Sequence, residues 1–124
     1  MSAAALLHIL LHLLVPLLVA WLFFRSRWPR VLAILLAGWV IDVDHFLAEP
    51  LYAPNRCSIG FHPLHTTPAI AAYGVMALVP ATRLLGAGLL IHIALDGLDC
   101  LRMKSARDAS LAGCDTCGAD TTCG

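Results

Sequence analysis

Histidine and aspartate recur in this chain inside stretches that are otherwise apolar. His8 and His12 interrupt AAALLHILLHLLVP, and Asp42, Asp44 and His45 end VLAILLAGWVIDVDHFL. His62 and His65 fall in HPLHTTP, and His92, Asp96 and Asp99 punctuate LLIHIALDGLDCL. Residues three or four apart share one face of a helix. His8 and His12 are so spaced, as are His92 and Asp96, Asp42 and His45, and Asp96 and Asp99. By the same periodicity Asp44 points away from Asp42 and His45, either behind them or toward the loop. His62 and His65 can converge across one turn around Pro63.

An ionisable residue at the centre of a membrane helix costs about 2.5–3.5 kcal/mol on insertion scales. Four such aspartates need compensation that neutral imidazoles cannot supply. Two divalent cations would neutralise them. Imidazole with carboxylate is a ligand set for zinc, manganese or iron. Two ions about 3.5–4 Å apart can clamp a hydrolytic water and a phosphoester oxygen. Asp42, His45, His62, His65, His92 and Asp96 are therefore the candidate metal ligands, with His8 and His12 as further ones. An unligated Asp44 or Asp99 is the candidate catalytic group, taking a proton from water. Arg56 either binds a substrate phosphate or pairs with one of the aspartates. A single histidine in a helix is more often a hydrogen-bonding partner, and such interhelical pairs contribute only about 0.6 kcal/mol. Six groups drawn from three segments are harder to explain that way. Ser58, Thr66 and Thr67 read as loop and helix-start hydrogen bonders.

The elements that must position these groups follow from the apolar runs. Hydrophobic residues make up 60% of the 124 and charged residues 13%. A soluble domain carries about 25% charged residues, and a domain this small buries a smaller share of its surface than a large one. Lipid is the natural solvent for the excess. The expected fold is all-α: an integral membrane four-helix bundle over residues 1–104, then a polar, flexible tail with cysteines over 105–124. Segment one runs from about Ala3 to Phe24 with a kink at Pro16, and is read as a retained helix rather than a cleaved signal. Segment two runs from about Pro29 to Leu47. Its purely apolar part, Val31 to Ile41, covers about 16 Å of helix, so the helix must continue through Asp42–His45 to cross. Segment three starts at Pro63 or Pro68 and ends near Val79. Segment four runs from about Leu84 to Leu101, with Gly86 and Gly88 allowing close helix packing.

Four successive helices with short loops alternate in direction. The start of segment one, the end of two, the start of three and the end of four then share one side. Every histidine and every membrane-embedded aspartate falls in that half of the bundle. Cys57 and Cys100 fall there too, either joined in a disulfide or as two separate thiols. The tail's C-x2-C-x5-C either binds zinc or belongs to a flexible segment. Basic residues tie at four a side for the positive-inside rule: Arg56, Arg102, Lys104 and Arg107 against Arg25, Arg27, Arg30 and Arg83. The three arginines crowded into the first loop favour that loop as cytoplasmic, which puts the site on the periplasmic side.

At IDVDHFL, NRCSIGFHPLHT and LLIHIALDGLDCL the sequence resembles a family of small bacterial inner-membrane proteins known only as a domain of unknown function. The resemblance runs from His8 to Lys104, and RCSIGFHPLHT is long enough to be specific. It implies a multi-pass protein of the bacterial inner membrane. More distantly, the order D-x-D-H, H-x-x-H-[ST], H-x-x-x-D resembles inner-membrane proteins assigned as metal-dependent hydrolases, similar in turn to zinc-dependent phospholipases C. That resemblance implies metal ligation by Asp42, His45, His62, His65, His92 and Asp96. Pro63 and Leu64 stand where the hydrolase pattern has arginine and glycine, so the resemblance does not extend to a substrate.

The expected function is hydrolysis of a lipid or membrane-proximal phosphoester by a bound divalent metal, zinc first and manganese or iron as alternatives. Competing expectations are a non-catalytic metal- or haem-binding membrane protein, with His8, His12 and His92 as haem ligands, and a proton or metal transporter. The expected partner is the lipid bilayer. Zero net charge and the lack of a basic, aromatic-interleaved patch exclude nucleic acid.

Overall fold

The computed structural model describes residues 3–47 and 57–115, without the side chains of residues 45–47 and 112–115. Among the described residues there are four α-helices and no strand: α1 (Ala3–Phe23), α2 (Trp28–Leu36), α3 (Thr67–Leu78) and α4 (Arg83–Asp115). Helix α2 passes directly into a 3-10 segment, Ala37–Leu47, and a short 3-10 turn, Pro63–His65, precedes α3. Proline sits in the first turn of α2 and of α3 and at the start of the Pro63–His65 turn. There its missing N–H would have had no intrahelical partner.

Helix α4 is the centre of the bundle. It packs against α1, α2, α3 and the Ala37–Leu47 segment. Glycine makes these approaches possible. A Cβ on Gly38 would lie 2.8 Å from the carbonyl carbon of Gly88, and one on Gly88 would lie 2.9 Å from the Cα of Leu35. The α2 backbone therefore rests on that of α4 with no side chain between. Gly86 does the same against α3, where an added Cβ would come within 2.7 Å of the Met76 carbonyl carbon. Two apolar clusters complete the packing. Ala20, Val31 and Leu35 form one, with Leu84, Ala87 and Ile91 of α4 against them. Ile41, Tyr73, Leu89 and Ile93 form the other.

Helix α1 is inside-out relative to a helix of a soluble protein. Its buried residues are His12, Pro16 and Ala20. Leu6, Leu7, Leu10, Leu14, Leu18 and Leu22 remain exposed. A monomeric soluble protein rarely shows a contiguous apolar face of that extent. Helix α1 and the Arg83–Leu111 part of α4 are each long and apolar enough to cross a membrane. At 1.5 Å per residue α3 rises only about 18 Å.

Two elements differ from the sequence expectation. The end of segment two is 3-10 rather than α-helical. Helix α4 continues through Asp115 instead of stopping near Leu101, so the first part of the polar tail is helical and exposed up to Leu111. Helix α3 begins at Thr67 with Pro68 in its first turn, the later of the two expected starts, and Pro63 opens the short 3-10 turn before it.

Candidate metal centre

The centre begins with the period of the Ala37–Leu47 segment. A 3-10 helix has 3.0 residues per turn, so positions three apart eclipse. Gly38, Ile41 and Asp44 form such a row, and all three are buried. Asp44 therefore turns into the bundle in line with Ile41. Asp42 lies a third of a turn away and keeps a half-exposed side chain.

The CSIGFHPLH segment supplies the next wall. Gly60 adopts a φ of 80°, in the left-handed region that glycine enters without the steric cost of a Cβ. Its N–H donates to the carbonyl of His65 (3.0 Å), while the N–H groups of Phe61 and His62 donate to Ser58 (3.2 Å each). Cys57 is joined to Cys100 in a disulfide, which ties this segment to α4. The Leu64 peptide is held at both ends. Its N–H donates to Asp44 Oδ2 (2.8 Å), and its carbonyl accepts from the Tyr73 hydroxyl (2.9 Å).

His65, next in the chain, is fully buried. Its Nδ1 lies 3.3 Å from the same Asp44 Oδ2. Assigned from this contact, the proton sits on Nδ1, and Nε2 presents its lone pair to the interior. There Nε2 lies 3.1 Å from Asp96 Oδ2 and 3.8 Å from Asp42 Oδ1. His92 Nε2 lies 3.0 Å from Asp42 Oδ1 and 3.6 Å from Asp96 Oδ2. One ligand atom from each of Asp42, His65, His92 and Asp96 lies within 4.8 Å of all the others.

Two of these separations, 3.0 Å between His92 and Asp42 and 3.1 Å between His65 and Asp96, are within hydrogen-bond range. Distances of 3.6 and 3.8 Å are too long for a hydrogen bond. A tetrahedral ion with ligand bonds of about 2.0–2.1 Å has edges of about 3.3–3.4 Å. Four of the six edges, at 3.0, 3.1, 3.6 and 3.8 Å, scatter around that value. Asp96 Oδ2 is buried without a hydrogen-bond partner, a costly state for a carboxylate oxygen unless a cation fills the gap. The buried histidine and aspartate groups thus form a set that could hold a metal ion.

A second group lies on the α1 side of the same carboxylate. His8 Nε2 is 3.2 Å and His12 Nε2 3.4 Å from Asp96 Oδ1. His12 Nδ1 donates to the His8 carbonyl (2.9 Å), so its Nε2 also turns a lone pair inward.

The remaining sequence candidates are placed as follows. His62 is buried on the far side of Asp44, with Nδ1 4.0 Å from Asp44 Oδ1, and stands outside the four-ligand group. Asp44 supports His65 and Leu64 rather than facing the cluster. Asp99 pairs with Arg102 at 2.8 Å, one helical turn on and partly exposed. The side chain of His45 and all of Arg56 lie outside the described residues, as do Cys117 and Cys123 of the tail.

A model of DUF6122, a family of unknown function, matches residues 3–103. The chain belongs to that family. The span of the DUF6122 match contains every residue of both histidine–aspartate groups. No curated protein and no solved structure matches. Two residues within the span that sequence reasoning passed over have clear work here. Tyr73 anchors the Leu64 carbonyl, and a phenol inside an apolar helix was the available signal, since a buried tyrosine hydroxyl usually finds a partner. Gly60 shapes the turn that brings His65 inward.

Proposed function

We propose that this chain is a multi-pass protein of the bacterial inner membrane that binds a divalent metal, zinc foremost, and hydrolyses a phosphoester carried by a lipid or presented at the membrane surface. One observation carries the reading. Four buried or half-buried ligand atoms, from the Ala37–Leu47 segment, the Pro63–His65 turn and α4, all lie within 4.8 Å of one another. A divalent ion at this centre that kept a coordination position open would polarise a phosphoryl oxygen and make a bound water acidic enough to attack at neutral pH. The chain's own residues hold the ion, fix the His65 tautomer through Asp44, and keep α1 over the interior face.

The outward leucines of α1 support the membrane placement. The Cys57–Cys100 disulfide supports a periplasmic site, because such bonds persist in oxidising compartments. The Ala20, Val31 and Leu35 cluster closes the other half with apolar side chains, which favours a recessed centre over a conduction path. The cavity beside His12, Trp39 and His92 measures about 10 Å³, room for about one water and none for a porphyrin.

Elemental analysis of purified wild-type protein beside His65→Ala tests metal binding, with hydrolysis of a phospholipid and phosphoester panel as the second readout. The wild type is expected to hold at least one ion per chain, and His65→Ala to bind less metal and lose activity. Metal-replete wild type inert across the panel overturns the hydrolase reading.

A further inference from the structure

The two oxygens of Asp96 face different partners. Oδ2 is turned to His65 Nε2 (3.1 Å) and His92 Nε2 (3.6 Å). Oδ1 is turned to His8 Nε2 (3.2 Å) and His12 Nε2 (3.4 Å). From these placements we infer that Asp96 is a bridging carboxylate between two divalent cations. One is held by Asp42, His65, His92 and Asp96 Oδ2, the other by His8, His12 and Asp96 Oδ1. The inference rests on the metal-binding reading above and specifies its nuclearity and ligands.

Several observations single out the second position. His12 is 4% exposed, and its Nε2 is buried without a hydrogen-bond partner. Its Nδ1 is already committed to the His8 carbonyl, so Nε2 is the ring's only outlet for a ligand. The contacts of His8 and His12 with Asp96 Oδ1 again match the about 3.3 Å edge of an ion with ligand bonds near 2 Å. The one-turn spacing of His8 and His12 places both rings on one face, with ring centroids 4.3 Å apart.

The two positions differ in chemistry. The first has four protein ligands and is closed. The second has two histidines and one carboxylate, a set that leaves coordination positions open. Each position has one partly exposed ligand, Asp42 at 46% in the first and His8 at 29% in the second. With Asp42, Asp44 and Asp96 ionised, one divalent cation leaves the centre net negative, whereas two leave it net positive. Only the two-ion centre would attract an anionic group such as a phosphoester. The second ion is therefore the one that meets substrate, and the first is the one that holds the α4 and Ala37–Leu47 elements together.

The test is metal stoichiometry of full-length protein in detergent, loaded with Zn2+ or Mn2+ alone and freed of excess. Wild type is expected to bind two ions per chain. His8→Ala and His12→Gln should each retain one, and Asp96→Asn should lose both. The Mn2+-loaded wild type should give the exchange-coupled paramagnetic resonance signal of a bridged pair, replaced by an isolated-ion signal in His8→Ala. A wild-type stoichiometry of one, lost in His65→Ala and unchanged in His8→Ala and His12→Gln, overturns the bridge and leaves the single-metal reading standing. Two magnetically isolated ions, or two ions retained in both α1 variants, also overturns it. No metal in folded wild type overturns both readings together.

Discussion

Asp44 meets His65 on the edge of the imidazole that faces away from the cluster, with Oδ2 3.3 Å from Nδ1. The same oxygen accepts the Leu64 N–H at 2.8 Å. Asp44 thereby fixes both the backbone leading into His65 and the tautomer that turns Nε2 inward. A carboxylate behind a metal-ligating histidine orients the ring and raises its basicity.

Asp44→Asn separates this supporting role from the role of a proton acceptor. The amide can still accept from Leu64 but is a weaker partner for His65. Metal affinity is expected to fall about 10–100-fold, read by competition with a chelator of known strength. Unchanged affinity with lost hydrolysis would instead place Asp44 in the chemistry.

Tyr73→Phe removes the hydroxyl that holds the Leu64 carbonyl and little else. A loss of about 1 kcal/mol in stability is expected, visible as a lower melting temperature in detergent. Metal stoichiometry should stay at the wild-type value, since the phenol is not among the ligand atoms.

The glycines of α3 and α4 should respond in opposite directions. Gly88→Ala drives a methyl into the Leu35 backbone, with atoms 2.5 and 2.9 Å away. Overpacking of this kind costs about 1–3 kcal/mol or more, and helix separation should also weaken metal binding. Gly74→Ala has nothing within 4 Å of the added carbon. It should be neutral or stabilising by up to about 0.5–1 kcal/mol, because alanine loses less freedom in a helix. Equal melting temperatures for the two variants would contradict the packing described.

The Cys57–Cys100 bond ties the Ser58–His65 turn to the middle of α4. Peptide-level alkylation of protein purified without reductant should leave both cysteines unmodified, and prior reduction should expose both. A disulfide typically contributes about 2–4 kcal/mol, so Cys100→Ser should lower thermal stability and loosen metal retention. Alkylation of both cysteines in untreated protein counts against the bond and against an oxidising site.

Much of the centre was legible without coordinates. Alternation of four apolar segments suffices to put His8, His12, Asp42, His65, His92 and Asp96 at one end, because direction reverses at every short loop. The i, i+4 spacing correctly pairs His92 with Asp96 and His8 with His12. For Asp44 two placements stayed open, behind the ligand candidates or toward the loop, because its orientation depends on helix period. One residue turns through 120° in a 3-10 helix and 100° in an α-helix, and the difference accumulates along Ala37–Leu47. Local sequence does not announce that choice. It is made where Gly38 lies against Gly88 and where Asp44 finds the Leu64 N–H. Asp99 and His62 stand outside the four-residue histidine–aspartate group, beside Arg102 and Asp44 respectively.

By itself, then, the sequence determined a helical chain with too little charge for water and too many imidazoles and carboxylates for lipid, all gathered at one end. Composition and the geometry of alternating helices require no more than that. Only the tertiary structure decided which of those groups meet. It turned Asp44 from a candidate base into the support of His65, and it set the two oxygens of Asp96 against separate pairs of histidines. Contacts of 3 to 4 Å depend on helix period, glycine crossings and one tyrosine hydroxyl, none of which residue type and spacing alone can fix.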